Sequence, residues 1–144
     1  MRLEILNEVY ADLFSQDVML FAAGYQLSGD CDAATVRVGH SYGVFLDIDR
    51  IRTIRQEKEA VVHEWAHITT DATYCIDAPA AVRQKAEETA RRAEIKKLLP
   101  FEKMRGVIKA GCAQIYELSE FFNVSEELVL EAIEYYTGPC GLTF

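Results

Sequence analysis

A chain of 144 residues, half of them hydrophobic, is long enough to bury a core of its own and short for two domains. Its net charge of -8 argues against nucleic acid as the main ligand. No run approaches the ~18 apolar residues of a membrane span.

The N-terminal stretch Met1-Arg2-Leu3-Glu4-Ile5-Leu6-Asn7-Glu8 alternates charge with apolar side chains and has no apolar core of a secretory signal, so a cytoplasmic protein is expected. Leu3, Ile5, Leu6, Val9, Tyr10, Leu13 and Phe14 recur at helical spacing and predict an amphipathic helix over 3–15, broken by Asp17. Val18 to Ala22 reads as a short strand, and Gly24 to Asp32 as a loop. Ala34, Val36 and Val38 alternate with polar neighbours, as do Val44, Leu46 and Ile48. With Gly39-His40-Ser41-Tyr42-Gly43 between them, the two runs predict a hairpin.

Thr53-Ile54-Arg55-Gln56 has the form of a capping box and opens a helix that runs to about Thr69. After a loop over 70–78, Pro79 starts a further helix that Pro100 stops near Leu98. Met104, Val107 and Ile108 mark a short helix ending at Gly111. Two more helices follow, Ile115 to Phe122 and Leu128 to Tyr136, joined by a tight turn through Asn123 with Ser125 as cap. In this pair Leu118, Phe121, Phe122, Leu128, Val129 and Ile133 are expected to pack inward. The pattern as a whole is α+β: a short sheet with a hairpin packed on a helix, further helices, and a helical C-terminal segment. It reads as a single domain over 1–144, with a body over 1–100 and a helical extension over 101–144.

Cys31, Cys75, Cys112 and Cys140 are scattered with no C-x-x-C pair and are expected as free thiols, mostly buried. Charge is segregated. Arg83 to Lys109 holds nine cations against four glutamates, whereas Ala113 to the end holds six glutamates and no Lys or Arg. Either the two segments pack beside each other or the basic one greets an acidic partner. The turn at Asn123 invites comparison with a helix-turn-helix, but a groove-entering helix brings Arg or Lys to phosphates and bases. This pair brings Glu117, Glu120, Glu126, Glu127, Glu131 and Glu134, expected largely outside, so no direct nucleic-acid binding is expected.

The stretch that carries chemistry is His63-Glu64-Trp65-Ala66-His67, an H-E-x-x-H motif in the last two turns of its predicted helix. Residues four apart share a helix face, so His63 and His67 can aim two imidazoles at one metal ion. Glu64 then stands beside the open coordination position, where it can take a proton from water. Catalytic zinc usually has three protein ligands. The helix after Pro79 offers Glu87, Glu88 and Glu94. Glu87 shares its face with Ala90 and Leu98 and can look inward, whereas Glu88 shares a face with Arg91 and Arg92 and suits solvent. His40, in the hairpin turn, is the competing ligand. His40, Tyr42 and Tyr74 are candidate donors to an oxyanion or to substrate.

The run Gly43-Val44-Phe45-Leu46-Asp47-Ile48, the helix bearing His63-Glu64-Trp65-Ala66-His67-Ile68, and the later helix ending in Leu98-Leu99-Pro100 together resemble the ImmA/IrrE family of small, gluzincin-like zinc metallopeptidases. Glu117 to Ser125 resembles the family's segment after that proline. The resemblance implies a zincin-like domain holding one Zn2+, with the third ligand thirteen positions before Pro100, which is Glu87. It also implies an endopeptidase, often carried by a phage or mobile element, that cuts a helix-turn-helix repressor and so acts as an anti-repressor. The alternative from another class is a module that keeps a metal site and binds a regulator without cutting it.

Overall fold

The computed structural model describes residues 3–24, 31–75 and 77–144. In chain order the elements are α1 (Glu4–Ser15), β1 (Met19–Ala23), β2 (Ala33–Val38), β3 (Ser41–Asp47), α2 (Ile54–Thr69), α3 (Ala80–Leu98), α4 (Phe101–Lys109), α5 (Ile115–Phe122) and α6 (Glu126–Thr137). The fold is α+β, with six helices and a three-stranded mixed sheet among the described residues. Part of the predicted loop over 24–32 lies outside the described residues. No helix among them is long and apolar enough to cross a membrane.

The sheet order is β1-β3-β2, with β1 parallel and β2 antiparallel to the central β3. The hairpin turn is tighter than the sequence suggests: Val38 pairs with Ser41, so only Gly39 and His40 lie between the strands. Gly39 has φ +62, as the first position of a two-residue hairpin turn requires when glycine occupies it. Gly43, expected in the turn, lies within β3. A Cβ there would sit in ordinary contact with the rings of Phe45 and Phe21, at 3.5 and 3.6 Å, which stack on each other on the sheet's outer face. That face also carries Met19, Val36 and Val38, which are exposed. The predicted alternation in β3 fails at its end, where Asp47 is buried and Ile48 exposed. Asp47 Oδ1 accepts from the Asp49 amide and ends the strand in a turn.

Helix α2 is central. Its start is fixed by the capping box, in which Thr53 Oγ1 accepts from the Gln56 amide at 3.1 Å and Gln56 Oε1 accepts from the Thr53 amide at 3.2 Å. One side of α2 packs on the inner face of the sheet, where Val44 and Leu46 are buried, and the other on α3. Val61 and Val62 are fully buried between these layers, together with Leu6, Val9 and Leu13 of α1. Pro79 and Pro100 cap α3 and α4, consistent with the fixed φ and missing N–H of proline. Asn123, at φ 53 and ψ 55, makes the left-handed C-cap that turns α5 into α6.

The first half of α2 also binds the C-terminal pair. Lys58 is buried and donates to the Phe122 carbonyl at 2.7 Å, while Ser125 Oγ donates to Glu59 Oε1 at 2.7 Å. The segregated charges meet within the molecule: Arg91 pairs with Glu131 at 3.1 Å, and Arg92 and Lys96 lie over the Tyr135 ring. Glu131 is therefore half-buried rather than largely outside. Leu118 and Phe122, four apart, form the buried stripe of α5, and Phe121 falls off it and is exposed. The cysteines also depart from expectation. Cys31, Cys75 and Cys140 are exposed and Cys112 half-buried, because all four lie outside the helices and strands.

Two substitutions separate local from tertiary contributions. Leu98→Ala, at a site 1% exposed, is expected to cost about 2–5 kcal/mol, whereas Thr53→Ala, which removes only the cap, should cost about 1 kcal/mol. Urea denaturation with unchanged slope checks both. No loss in Thr53→Ala would show that α2 owes its start to packing and not to its cap.

Candidate metal centre

Four residues apart on α2, His63 and His67 turn their Nε2 atoms toward each other at 3.2 Å, with ring planes at 88°. From α3, Glu87 brings Oε2 to 3.0 Å from His63 Nε2 and 3.4 Å from His67 Nε2. The three atoms form a nearly equilateral triangle. Ligands about 2.05 Å from a tetrahedral zinc ion lie about 3.3 Å from one another. The observed edges match that value, so the donor set can hold a metal ion. Among the described residues, His63, His67 and Glu87 are the group whose metal-ligating atoms come this close together.

Each ligand is held by its other polar atom. His63 Nδ1 lies 2.8 Å from Glu94 Oε2, and His67 Nδ1 lies 2.7 Å from the Ala72 carbonyl. Carboxylate and carbonyl oxygens only accept, so both Nδ1 atoms donate and both Nε2 atoms are the ones turned inward. Tyr74 donates to Glu87 Oε1 at 2.8 Å and leaves Oε2 for the histidines. Asp71, at φ 51, reverses the chain after α2 and brings Ala72 and Tyr74 back over the site.

A proton satisfies the same atoms that would hold a cation. Burial pulls His63 down, but its hydrogen bonds to Glu87 and Glu94 and the charges of Glu94 and Glu64 outweigh that and carry it to about 10. Hydrogen bonds from His63 and His67 hold Glu87 well below the usual carboxylate range against the opposing effect of burial. For His67 burial again lowers, and the bonds to Glu87 and the Ala72 carbonyl raise it above its ordinary value.

Glu64 is 6% exposed at the floor of a cleft of about 1190 Å³ that the three ligands share. Burial raises its carboxyl above the ordinary range, although a hydrogen bond from Thr35 and the neighbouring histidines pull the other way. Thr35 Oγ1 donates to Glu64 Oε2. Thr35 stands on β2 opposite Val44, on the face of the sheet turned toward α2.

Of the predicted donors, Tyr74 lies in the site, but its hydroxyl is committed to Glu87. Burial and that bond push its phenol to about 12, so it remains a donor at neutral pH. Tyr42 donates instead to Asp71 Oδ1 at 2.9 Å, tying β3 to the end of α2. His40 is exposed at the hairpin tip and belongs to no ligand group, because the two-residue turn carries it past the end of the sheet. Glu88 is exposed, as expected.

Sequence reasoning missed Thr35, the role of Glu94 and the Ala72 carbonyl. Glu94 had a signal, since it lies seven residues after Glu87 on the same face of α3. Thr35 had a weak one, a hydroxyl between Ala34 and Val36. Compared with protein-family models, with curated proteins and with solved structures, the chain has no match.

Because His63 keeps its proton to about pH 10, a cation entering at neutral pH must expel at least one. Affinity for Zn2+ is therefore expected to rise about tenfold per pH unit between about pH 7 and 9. Chelator competition at several pH values measures the slope, and a flat profile would contradict the assigned protonation.

Proposed function

We propose that the chain is a zinc-dependent endopeptidase in which His63, His67 and Glu87 hold the metal and Glu64 moves the proton. The observation that carries this reading is the set of ligand distances, 3.0, 3.2 and 3.4 Å, with a buried carboxylate next in sequence facing the same cleft. Three protein ligands leave a tetrahedral position open, which is the arrangement of catalytic rather than structural zinc.

Zinc held there supplies Lewis acidity, which makes water nucleophilic near neutral pH and polarises a scissile carbonyl. Glu64 takes the proton of the attacking water as oxygen bonds to the carbonyl carbon, then passes it to the amine nitrogen as the C–N bond breaks. A carboxyl raised by burial is a better base for that task than a solvated one. Thr35 holds one oxygen of Glu64, so the other is left for the proton. Tyr74 acts through Glu87 as a positioning residue.

The resemblance of Gly43 to Pro100 to ImmA/IrrE peptidases supports a protein substrate, and within that family's habit a helix-turn-helix repressor of a phage or mobile element. The protein would then act as an anti-repressor. The cleft of about 1190 Å³ is bounded on one side by β2.

Metal analysis and a cleavage time course with a candidate repressor test the proposal together. Stoichiometric zinc is expected in the wild type and in Glu64→Gln, and its loss in His67→Ala. Cleavage should fall about 10²–10⁴-fold in Glu64→Gln. Thr35→Val should lose about tenfold to a hundredfold in kcat with KM little changed, and Thr35→Ser should recover most of it. Absence of zinc from the wild type would remove the metal assignment. Equal relief of repression by wild type and Glu64→Gln would replace the enzyme with a regulator-binding module.

A further inference from the structure

The C-terminal helix α6 is connected to the metal centre by an unbroken line of charged contacts. Glu131 Oε2 lies 3.1 Å from Arg91 Nε, and an Arg91 terminal nitrogen lies 3.0 Å from Glu94 Oε2. That same Glu94 oxygen accepts from His63 Nδ1 at 2.8 Å. Glu94 is completely buried, and its second oxygen, Oε1, has no hydrogen-bond partner among the described residues. A buried carboxylate with one oxygen unpaired is oriented by the partners of the other. Among the described residues those partners are the metal ligand itself and Arg91.

Arg91 is less constrained. Its side chain is 42% exposed, and it lies within the fields of Glu94, Glu131 and Glu59. What fixes its second edge is Glu131, a residue of another helix. The relay also forms part of the wall of a second cleft, about 530 Å³, that lies between α3 and α6 and reaches His63 and Glu87. We propose that Glu131 is a positioning residue of the metal centre, holding Arg91 on Glu94 and, through Glu94, setting the orientation of His63. This deepens the metal-centre reading and rests on it. It also makes the helical extension part of the site and not only cover for the core, since the fourth member of the relay lies beyond residue 100.

A salt bridge that merely ties α6 to α3 would leave metal affinity alone when broken. Affinity for Co2+ of the intact, folded protein, measured by chelator competition at fixed pH and salt, separates the two roles. Glu94→Gln, which keeps the shape but removes the buried charge, is expected to weaken Co2+ binding about tenfold or more. Glu131→Gln should weaken it about threefold to tenfold, and should add nothing in the Glu94→Gln background, because the two act along one path. Glu134→Gln is the control. It removes the same charge from the same cleft and has no contact with Arg91 in the relay, so its effect measures the general loss of negative field.

Unchanged Co2+ affinity in Glu131→Gln would overturn the proposal, as would a loss no greater than that of Glu134→Gln or one that simply multiplies with that of Glu94→Gln. A lowered melting temperature with unaltered affinity would assign Glu131 a structural role only. If the wild type itself bound no stoichiometric Co2+ or Zn2+, the metal reading would fail and this one with it. That outcome is distinct from equal binding by wild type and variant, which removes the relay alone.

Discussion

Bringing two imidazole nitrogens and a carboxylate oxygen within about 3.4 Å of one another, inside a partly buried cleft, is the constraint on which the rest of the molecule depends. Groups of that kind repel or demand protons when left to themselves, and they keep such an arrangement only where the surroundings over-determine it. Here each has its far atom secured: His63 to Glu94, His67 to the Ala72 carbonyl, Glu87 to Tyr74. The securing groups come from α3 and from the loop after α2. The site is therefore a property of how those segments pack and not of the motif alone.

Helix α2 meets this demand while serving as the main beam of the core. Val61 and Val62 are fully buried, yet the next two residues and His67 are ionisable. The helix resolves the conflict through its period. The sheet covers Glu64 and donates to it through Thr35, α3 receives His63 and His67, and the apolar residues fill the space between the layers. Two fully buried valines preceding three functional side chains leave little freedom for the helix to rotate or slide.

Much of this was legible in the sequence because it obeys local rules. The period of Leu6, Val9 and Leu13, the Thr53–Gln56 box, the prolines at 79 and 100 and the cap at Ser125 each placed an element close to where it lies. The same periodicity put Glu87 on the inward face of α3. What could not be read was pairing at a distance. That β1 runs parallel beside β3, that Phe21 stacks on Phe45, and that Thr35 reaches Glu64 are facts of strand order, which no local pattern states. His40 failed as a ligand for a related reason. A turn shortened from five residues to two changes where a side chain ends up, and that length was decided by Gly43 belonging to the strand. The cysteines misled because residue type suggested burial while their places outside the helices and strands dictated exposure.

The two histidines are secured by unlike means, and the difference bears on heredity. His63 relies on a side chain, so a single codon change at Glu94 can loosen it. His67 relies on a main-chain carbonyl, which every residue type at position 72 would supply. Drift at Ala72 is thus silent for the tautomer of His67, and that half of the centre is exposed to mutation only through whatever bends the backbone. The vulnerable position is its neighbour Asp71, whose φ of 51 tolerates Asn or Gly and strains a β-branched residue. Lineages descending from this chain should vary freely at 72 while keeping to a narrow choice at 71 and at 94.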